Sequence, residues 1–272
     1  MTTPSGSGDR AHGLAPSAPE AAWPAEAIRK SLSAQLPGFT VEVVPELDST
    51  NSELMRRARA GHLEPVLLVA EQQSAGRGRL GRGWTSHSAD SLTFSLGLRL
   101  VPADWSGLSL AVGVALAESL HADIGLKWPN DLWLRDRKLA GILIETATSA
   151  AAAEVRYAVV GVGINLAERQ SEGFSTPPAW LQELLPGCQA GDVLLRLAGP
   201  LLQAIRSFEA EGFTIFKSRF DARDVLRDRP VLLGDGTAGI GRGITDIGEL
   251  RVQTASGMKT ITSSEVSVRP AA

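Results

Sequence analysis

Apolar residues at Ala27, Ile28, Leu32 and Leu36 recur on one helix face, which predicts a helix over 22–36. Alternation from Phe39 to Leu47 predicts a strand, and the polar run Asp48-Ser49-Thr50-Asn51-Ser52-Glu53 opens a helix that Gly61 closes. Within that run Thr50 to Glu53 has the form of a capping box. The continuous apolar run Val66–Ala70 reads as a buried strand, and Ser91–Leu100 as another. Between them lies a polar, Gly-rich loop over 72–90. Leu108–His121 is apolar nearly all round, so it predicts a buried helix. Asp131–Leu134 and Lys138–Thr146 flank the charged turn Arg135-Asp136-Arg137 as a hairpin, and Arg156–Leu166 is a further strand. The stretch 190–220 is helical in pattern, but Gly199-Pro200 inside it predicts a kink or two helices. From Arg229 onward short β runs alternate with Gly-containing turns, the texture of a small all-β module. The expected organisation is therefore a disordered tail over 1–20, a large α/β unit over 21–225 and a β unit over 226–272.

Composition narrows the function. With 27 basic and 30 acidic residues among 272, the net charge is -3, which excludes a nucleic-acid binder that works through whole-chain positive charge. Cys188 is the single cysteine, so no intramolecular disulfide forms, and no His or Cys pair has metal-ligand spacing. No apolar run reaches the length of a membrane span, and the N-terminus has no signal-peptide pattern. These features fit a reducing, cytoplasmic setting.

The near-neutral average hides one local excess. Gly76-Arg77-Gly78-Arg79-Leu80-Gly81-Arg82-Gly83-Trp84 holds four Gly, three Arg and no acid in nine residues. Glycine permits close backbone approach to a ligand, guanidinium suits carboxylate or phosphate, and Trp84 suits a flat ring. A loop that closes over an anion and a solvated or RNA-contacting Arg/Gly loop both fit this composition. Gly161-Val162-Gly163-Ile164-Asn165-Leu166 lacks the third Gly of a dinucleotide fingerprint and lies within a strand, and there is no P-loop. Lys127-Trp128-Pro129-Asn130-Asp131 is at once polar, aromatic and rigid. On a regular strand Lys138 would share a face with Ala140, Ile142 and Ile144, either snorkelling from the strand end or pointing into a site.

Together these segments, with Asp48-Ser49-Thr50-Asn51, Gln73 and Lys138-Leu139-Ala140-Gly141-Ile142-Leu143-Ile144-Glu145, resemble biotin protein ligases in order and spacing over roughly residues 40 to 270. The resemblance implies an α/β (α+β) fold, a mixed sheet with helices like that of class II aminoacyl-tRNA synthetases, followed by a small SH3-like barrel. It implies formation of biotinyl-5'-AMP from biotin and ATP, with Mg²⁺ accompanying ATP. Transfer then follows to a lysine of the biotin carboxyl carrier domain of a carboxylase. By the same resemblance Ser49, Thr50, Asn51, Gln73, Gly76, Arg77, Gly78, Arg79, Lys138 and Gly141 would bind biotin. Arg79, Arg82, Trp84, Asn130, Asp131, Lys138 and Asn165 would bind ATP, and Arg269 would reach the nucleotide. Lys138, Arg77 and Arg79 would be catalytic, since an anionic carboxylate must approach an anionic α-phosphate. Some members carry an N-terminal winged helix-turn-helix of about 60 residues, and only about 20 ordered residues are expected before Phe39. The expectation is a ligase without DNA binding, as a monomer or homodimer. A lipoate-type acyl ligase or transferase and an RNA-binding protein are the rival readings.

Overall fold

Alternation along the central strands decides which side of the sheet each residue meets. The computed structural model describes residues 23–149, 152–168, 176–262 and 268–270; the expected tail over 1–20 lies outside the described residues. Seven strands form the large sheet: β1 (Thr40–Leu47), β2 (Val66–Gln73), β3 (Ser91–Leu100), β4 (Gly125–Lys127), β5 (Asp131–Leu134), β6 (Arg137–Ser149) and β7 (Ala152–Asn165). Their order is β1-β2-β3-β7-β6-β5-β4. Only β1 and β2 are parallel, joined by the crossover helix α2 (Thr50–Arg59). In β7, Ala158, Val160, Val162 and Ile164 enter the main core, while Tyr157 and Val159 pack with Leu54, Met55 and Ala58 of α2 on the opposite face. Three-residue β4 is too short to show alternation, which is why the sequence pattern does not reveal it.

The main core is closed by α1 (Ala25–Leu32), α3 (Leu108–Leu120) and α4 (Ala190–Glu211). In α1, Ile28 and Leu32 are buried but Ala27 is exposed, so the apolar stripe is narrower than the sequence pattern suggests. Helix α3 is buried on ten of its thirteen positions, which accounts for its all-round apolar sequence. Helix α4 is continuous through Pro200, which removes the two-helix alternative of the expected kink or division there. Pro200 is exposed, so its missing N–H lies on the solvent side, while Leu197, Leu201, Leu202, Ile205 and Phe208 keep one face buried. The break comes instead at Gly212, whose φ of 73° needs glycine. A short α5 (Lys217–Asp221) follows.

The C-terminal strands β8 (Pro230–Leu233), β9 (Ala238–Ile244), β10 (Leu250–Thr254), β11 (Gly257–Ile261) and β12 (Val268–Pro270) form an antiparallel sheet ordered β11-β10-β9-β8-β12. The turn between β9 and β10 sits on the large unit. Fully buried Trp128 donates its indole N–H to the Gly248 carbonyl at 3.0 Å, and a Cβ on Gly248 would lie 3.0 Å from the Gly107 Cα. No helix among the described residues is long and apolar enough to cross a membrane.

Candidate active site

On the α2 side of the sheet, side chains give way to glycine. The register aligns Gly141 of β6 with Gly163 of β7, and Leu143 with Gly161. Above this floor lies a cavity of about 520 Å³. Its shape comes from what a Cβ would meet at each glycine. At Gly163 it would lie 2.4 Å from Trp84 Cε2, at Gly141 3.6 Å from Trp84 Cζ3, and at Gly161 2.0 Å from Asn51 Oδ1. The strand glycines that fail the nucleotide fingerprint therefore serve close approach by side chains and ligand.

The segment 76–84 is a small hairpin rather than an open loop. Trp84 N–H donates to Gly76 O at 2.8 Å and Gly78 N–H to Arg82 O at 2.7 Å, with a 3₁₀ turn over Arg79–Gly81 at the tip. This fold packs the Trp84 indole directly onto Gly163, so the ring bounds the cavity at that end of the floor. Its buried Nε1 has no hydrogen-bond partner among the described residues. A buried indole N–H without an acceptor is costly, so a polar ligand atom would stabilise it there.

One end of the cavity is a neutral polar cluster. Ser49, not Thr50, is the N-cap of α2, accepting from Ser52 N–H at 3.4 Å, and Glu53 pairs with Arg56 and Arg57. The expected capping box is thus absent, and Thr50 turns to other partners. Thr50 N–H donates to Gln73 Oε1 at 2.8 Å, and Thr50 Oγ1 does so at 3.2 Å. A backbone N–H can only donate, so the Gln73 amide is oriented with its NH₂ away from Thr50, towards Gly76. Buried Ser95 donates to Asn51 Oδ1 at 2.6 Å, and Asn51 Nδ2 donates to Leu143 O at 3.1 Å and Glu145 Oε2 at 3.0 Å. Asn51 lines the cavity, but its amide is spent on holding the floor and α2 together.

The other end is charged. Trp133 pairs with Lys138 while Leu132 pairs with Ala140, so Leu139 is an extra residue, a β-bulge. Ala140 and Ile142 stay in the core, but the bulge turns Lys138 onto the Gly141 face, where its Nζ would lie 3.3 Å from a Gly141 Cβ. The regular-strand expectation that Lys138 shares a face with Ala140 and Ile142 is corrected by this bulge. Lys138 Nζ pairs with Asp131 Oδ1 at 2.7 Å and stands 5.9 Å from the Trp84 ring. Half-buried Arg79 has its pKa lowered by burial, with Asp131 opposing and Arg82 adding repulsion. Guanidinium remains charged regardless. Arg77 reaches across to Glu145 at 3.2 Å.

Asn130 and Asn165 serve the walls. Asn130 Nδ2 donates to Ile142 O at 2.8 Å, and Asn165 Nδ2 donates to Lys138 O at 3.2 Å and Ala179 O at 3.0 Å. Trp128 of the same motif faces the inter-unit core instead of the cavity. The backbone of Arg269 lies in β12, and its side chain is outside the described residues. Several cavity residues lie outside the expected site set, among them Lys127, Trp133, Asp136 and Arg229. Lys127, nearly buried 5.2 Å from the Trp133 ring, was visible as one of only five Lys; Trp133, Asp136 and Arg229 gave no local signal. Among the described residues no group of three or more His, Cys, Asp or Glu could hold a metal ion. Mg²⁺ bound to a nucleotide takes most of its ligands from phosphates and water, so the single carboxylates Asp131 and Asp136 at this cavity are compatible with MgATP.

Residues 44–165 match the biotin/lipoate A/B protein ligase family, and residues 230–269 the biotin protein ligase C-terminal domain. The chain is 40% identical over 255 residues to the bifunctional ligase/repressor BirA of Escherichia coli, covering 89% of this chain and 78% of that protein. The chain belongs to the biotin protein ligase family. Its likeness extends to the biotin--[acetyl-CoA-carboxylase] ligase of Mycobacterium tuberculosis, 33% identical over 250 residues, covering 83% of this chain and 88% of that protein. Among solved structures, the biotin protein ligase of Aquifex aeolicus in complex with biotin and ATP superposes with a TM-score of 0.71 at 28% identity, covering 85% of this chain and 99% of that one. The biotin-specific C-terminal match and these relatives favour biotin over the lipoate rival.

Proposed function

We propose that this family member joins biotin to ATP as biotinyl-5'-AMP and passes the biotinyl group to a lysine of a carboxylase's biotin carboxyl carrier domain. The observation that carries the reading is the cavity itself. It has a glycine floor, a Trp84 wall, a neutral donor–acceptor cluster at one end, and Lys138, Arg79 and Arg82 at the other. A biotin ureido ring needs both donors and acceptors, which Ser49, Thr50 and the Gln73 amide supply. Its carboxylate then points along the glycine floor towards Lys138, with Gly78 at the cavity wall, while Gly76 serves the hairpin, where a Cβ would lie 2.2 Å from Trp84 O. The carboxylate oxygen attacks the α-phosphorus, the bond to the β-phosphate oxygen breaks, and pyrophosphate leaves with the electron pair. Lys138, Arg77 and Arg79 offset the charge that accumulates between the two anions, and Mg²⁺ carried in with ATP adds to this when bound. Asn51, Asn130, Asp131 and Asn165 hold the positions of these groups, and Trp84 flanks the adenylate and keeps water from the mixed anhydride. In the second step the carrier lysine amine attacks the acyl carbon, and AMP leaves.

The proposal assigns 21–225 to catalysis and 226–272 to an SH3-like barrel, in a cytoplasmic enzyme; the lone, half-buried Cys188, its thiol pKa pushed up by burial, agrees with a reducing setting. Biotin-dependent ATP–pyrophosphate exchange tests the activity. Exchange that appears only with biotin is expected; none in folded protein with Mg²⁺ would sink the reading. RNA affinity that is steep in salt and lost in Arg77→Ala, without exchange, would favour the RNA-binding alternative.

A further inference from the structure

Arg229 lies just before β8 and outside both family-matched segments, yet it lines the same cavity as Lys138. Its position belongs mechanically to the C-terminal unit. Arg229 O accepts from Gly241 N–H of β9 at 2.9 Å, and Asp228 N–H donates to Gly241 O at 2.8 Å. A Cβ on Gly241 would lie 2.2 Å from Leu226 O, so only glycine lets β9 press this close. From that fixed point the Arg229 guanidinium reaches Asp136 at 2.5 Å, in the Arg135-Asp136 turn joining β5 and β6. Asp136 stands two residues before Lys138, at most about 7 Å along an extended backbone. Both partners of this ion pair are substantially exposed, 41% and 62%. Pairs of this kind contribute little stability. The pair thus holds a guanidinium at the cavity mouth at small energetic cost to its release.

Resting on the ligase reading above, we propose that Arg229 is a binding residue for the β- and γ-phosphates of ATP and for the pyrophosphate they become. Asp136 keeps it parked until the nucleotide enters. With the α-phosphorus at Lys138, the leaving phosphates extend towards the mouth, where Arg229 is, among the described residues, the cation that the C-terminal unit brings to the cavity. Guanidinium is suited to the oxygens of a pyrophosphate by its planar fork. When the α-phosphorus bond breaks, the electron pair goes onto the bridging oxygen, and Arg229 meets the charge that leaves with it.

Steady-state exchange in the full chain, with ATP, pyrophosphate and biotin varied separately, tests this. Arg229→Ala is expected to raise the KM for ATP and for pyrophosphate about tenfold, the scale of one charge-assisted hydrogen bond, with the KM for biotin unchanged. Asp136→Asn frees the guanidinium and is expected to lower the KM for ATP. Transfer from preformed biotinyl-5'-AMP to a carrier domain involves no pyrophosphate, so Arg229→Ala should leave it at the wild-type rate. Unchanged KM values for ATP and pyrophosphate in Arg229→Ala would overturn the proposal. So would a fall in transfer from preformed adenylate equal to the fall in exchange, which would place Arg229 at the carrier-docking surface. Arg229→Lys, which keeps the charge and loses the fork, should fall between wild type and Ala. Absence of exchange in the wild type strikes at the ligase reading and is thereby distinguished from failure at Arg229.

Discussion

Adding one methyl group at two positions on the same strand should have opposite consequences. In Gly161→Ala the new carbon would lie 2.0 Å from Asn51 Oδ1, far inside the 3.4 Å at which ordinary contact begins. Asn51 has no easy retreat, because Ser95, Leu143 O and Glu145 hold both ends of its amide. Overpacking of this kind costs about 1–3 kcal/mol. Each hydrogen bond lost in the retreat adds about 0.5–1.5 kcal/mol. The expected loss is therefore about 2–5 kcal/mol, a fall of roughly 1–2 M in the urea midpoint for a chain of this size. In Gly163→Ala the new carbon would lie 2.4 Å from Trp84 Cε2. That ring sits on a hairpin anchored by backbone bonds at its base, and its Nε1 has no partner to lose among the described residues. The ring can lift, so stability should change by under about 1 kcal/mol, on the scale of a surface substitution, while biotin affinity falls. Urea unfolding followed by far-ultraviolet circular dichroism and biotin titration calorimetry read the two effects. Equal stability losses in the two variants, or a Gly161→Ala protein as stable as wild type, would refute the reasoning.

Three further outcomes follow from the same structure. Lys138→Ala should cut adenylate formation about 10²–10³-fold, the cost of losing one group aimed at developing charge, with an unchanged circular dichroism spectrum; a near-normal rate in pyrophosphate exchange would remove Lys138 from the mechanism. Trp128→Ala removes a fully buried side chain and its bond to Gly248, so thermal or urea unfolding should show a loss of about 3–5 kcal/mol and earlier proteolysis between 222 and 230. Burial pushes the Asp224 carboxyl up to about 6 from 3.8, with Asp221 raising it further and the Leu226 N–H and Arg227 opposing. A raised carboxyl pKa contributes stability below the unfolded value that is lost as pH rises through the folded one. Asp224→Asn should therefore unfold at higher urea than wild type at pH 7, and the difference should shrink as pH falls from about 6 to about 4; a constant difference across that window would contradict the assignment.

The chemistry-bearing segments were legible because each required unusual residues in a row, as in Gly76–Trp84 and Lys127–Asp131. The regular elements were legible where a mostly apolar run is bounded by polar turns, as in Ser91–Leu100, buried at nine of its ten positions, whose strand bounds match the sequence reading. What escaped depended on geometry that local sequence does not record. A one-residue bulge at Leu139 turns Lys138 to the opposite face, and no periodicity reveals an extra residue until the partner strand is known. The N-cap fell one residue earlier than the capping pattern suggested, because Gln73, 23 residues away, competes for Thr50. Pro200 was tolerated because its N–H side faces water. Arg229 joins the cavity from a separate unit, a contact 93 residues apart from Asp136 in sequence.

The central claim is that biotin and ATP meet in the cavity beside Trp84 and Lys138. Crystals of the protein soaked with biotin, ATP and Mg²⁺ test it most directly. The account predicts density for biotinyl-5'-AMP on the glycine floor beside the Trp84 ring, with the ureido ring at Thr50 and Gln73 and the α-phosphate at Lys138. An adenylate bound elsewhere, or ordered ligands that leave this floor bare, would contradict it.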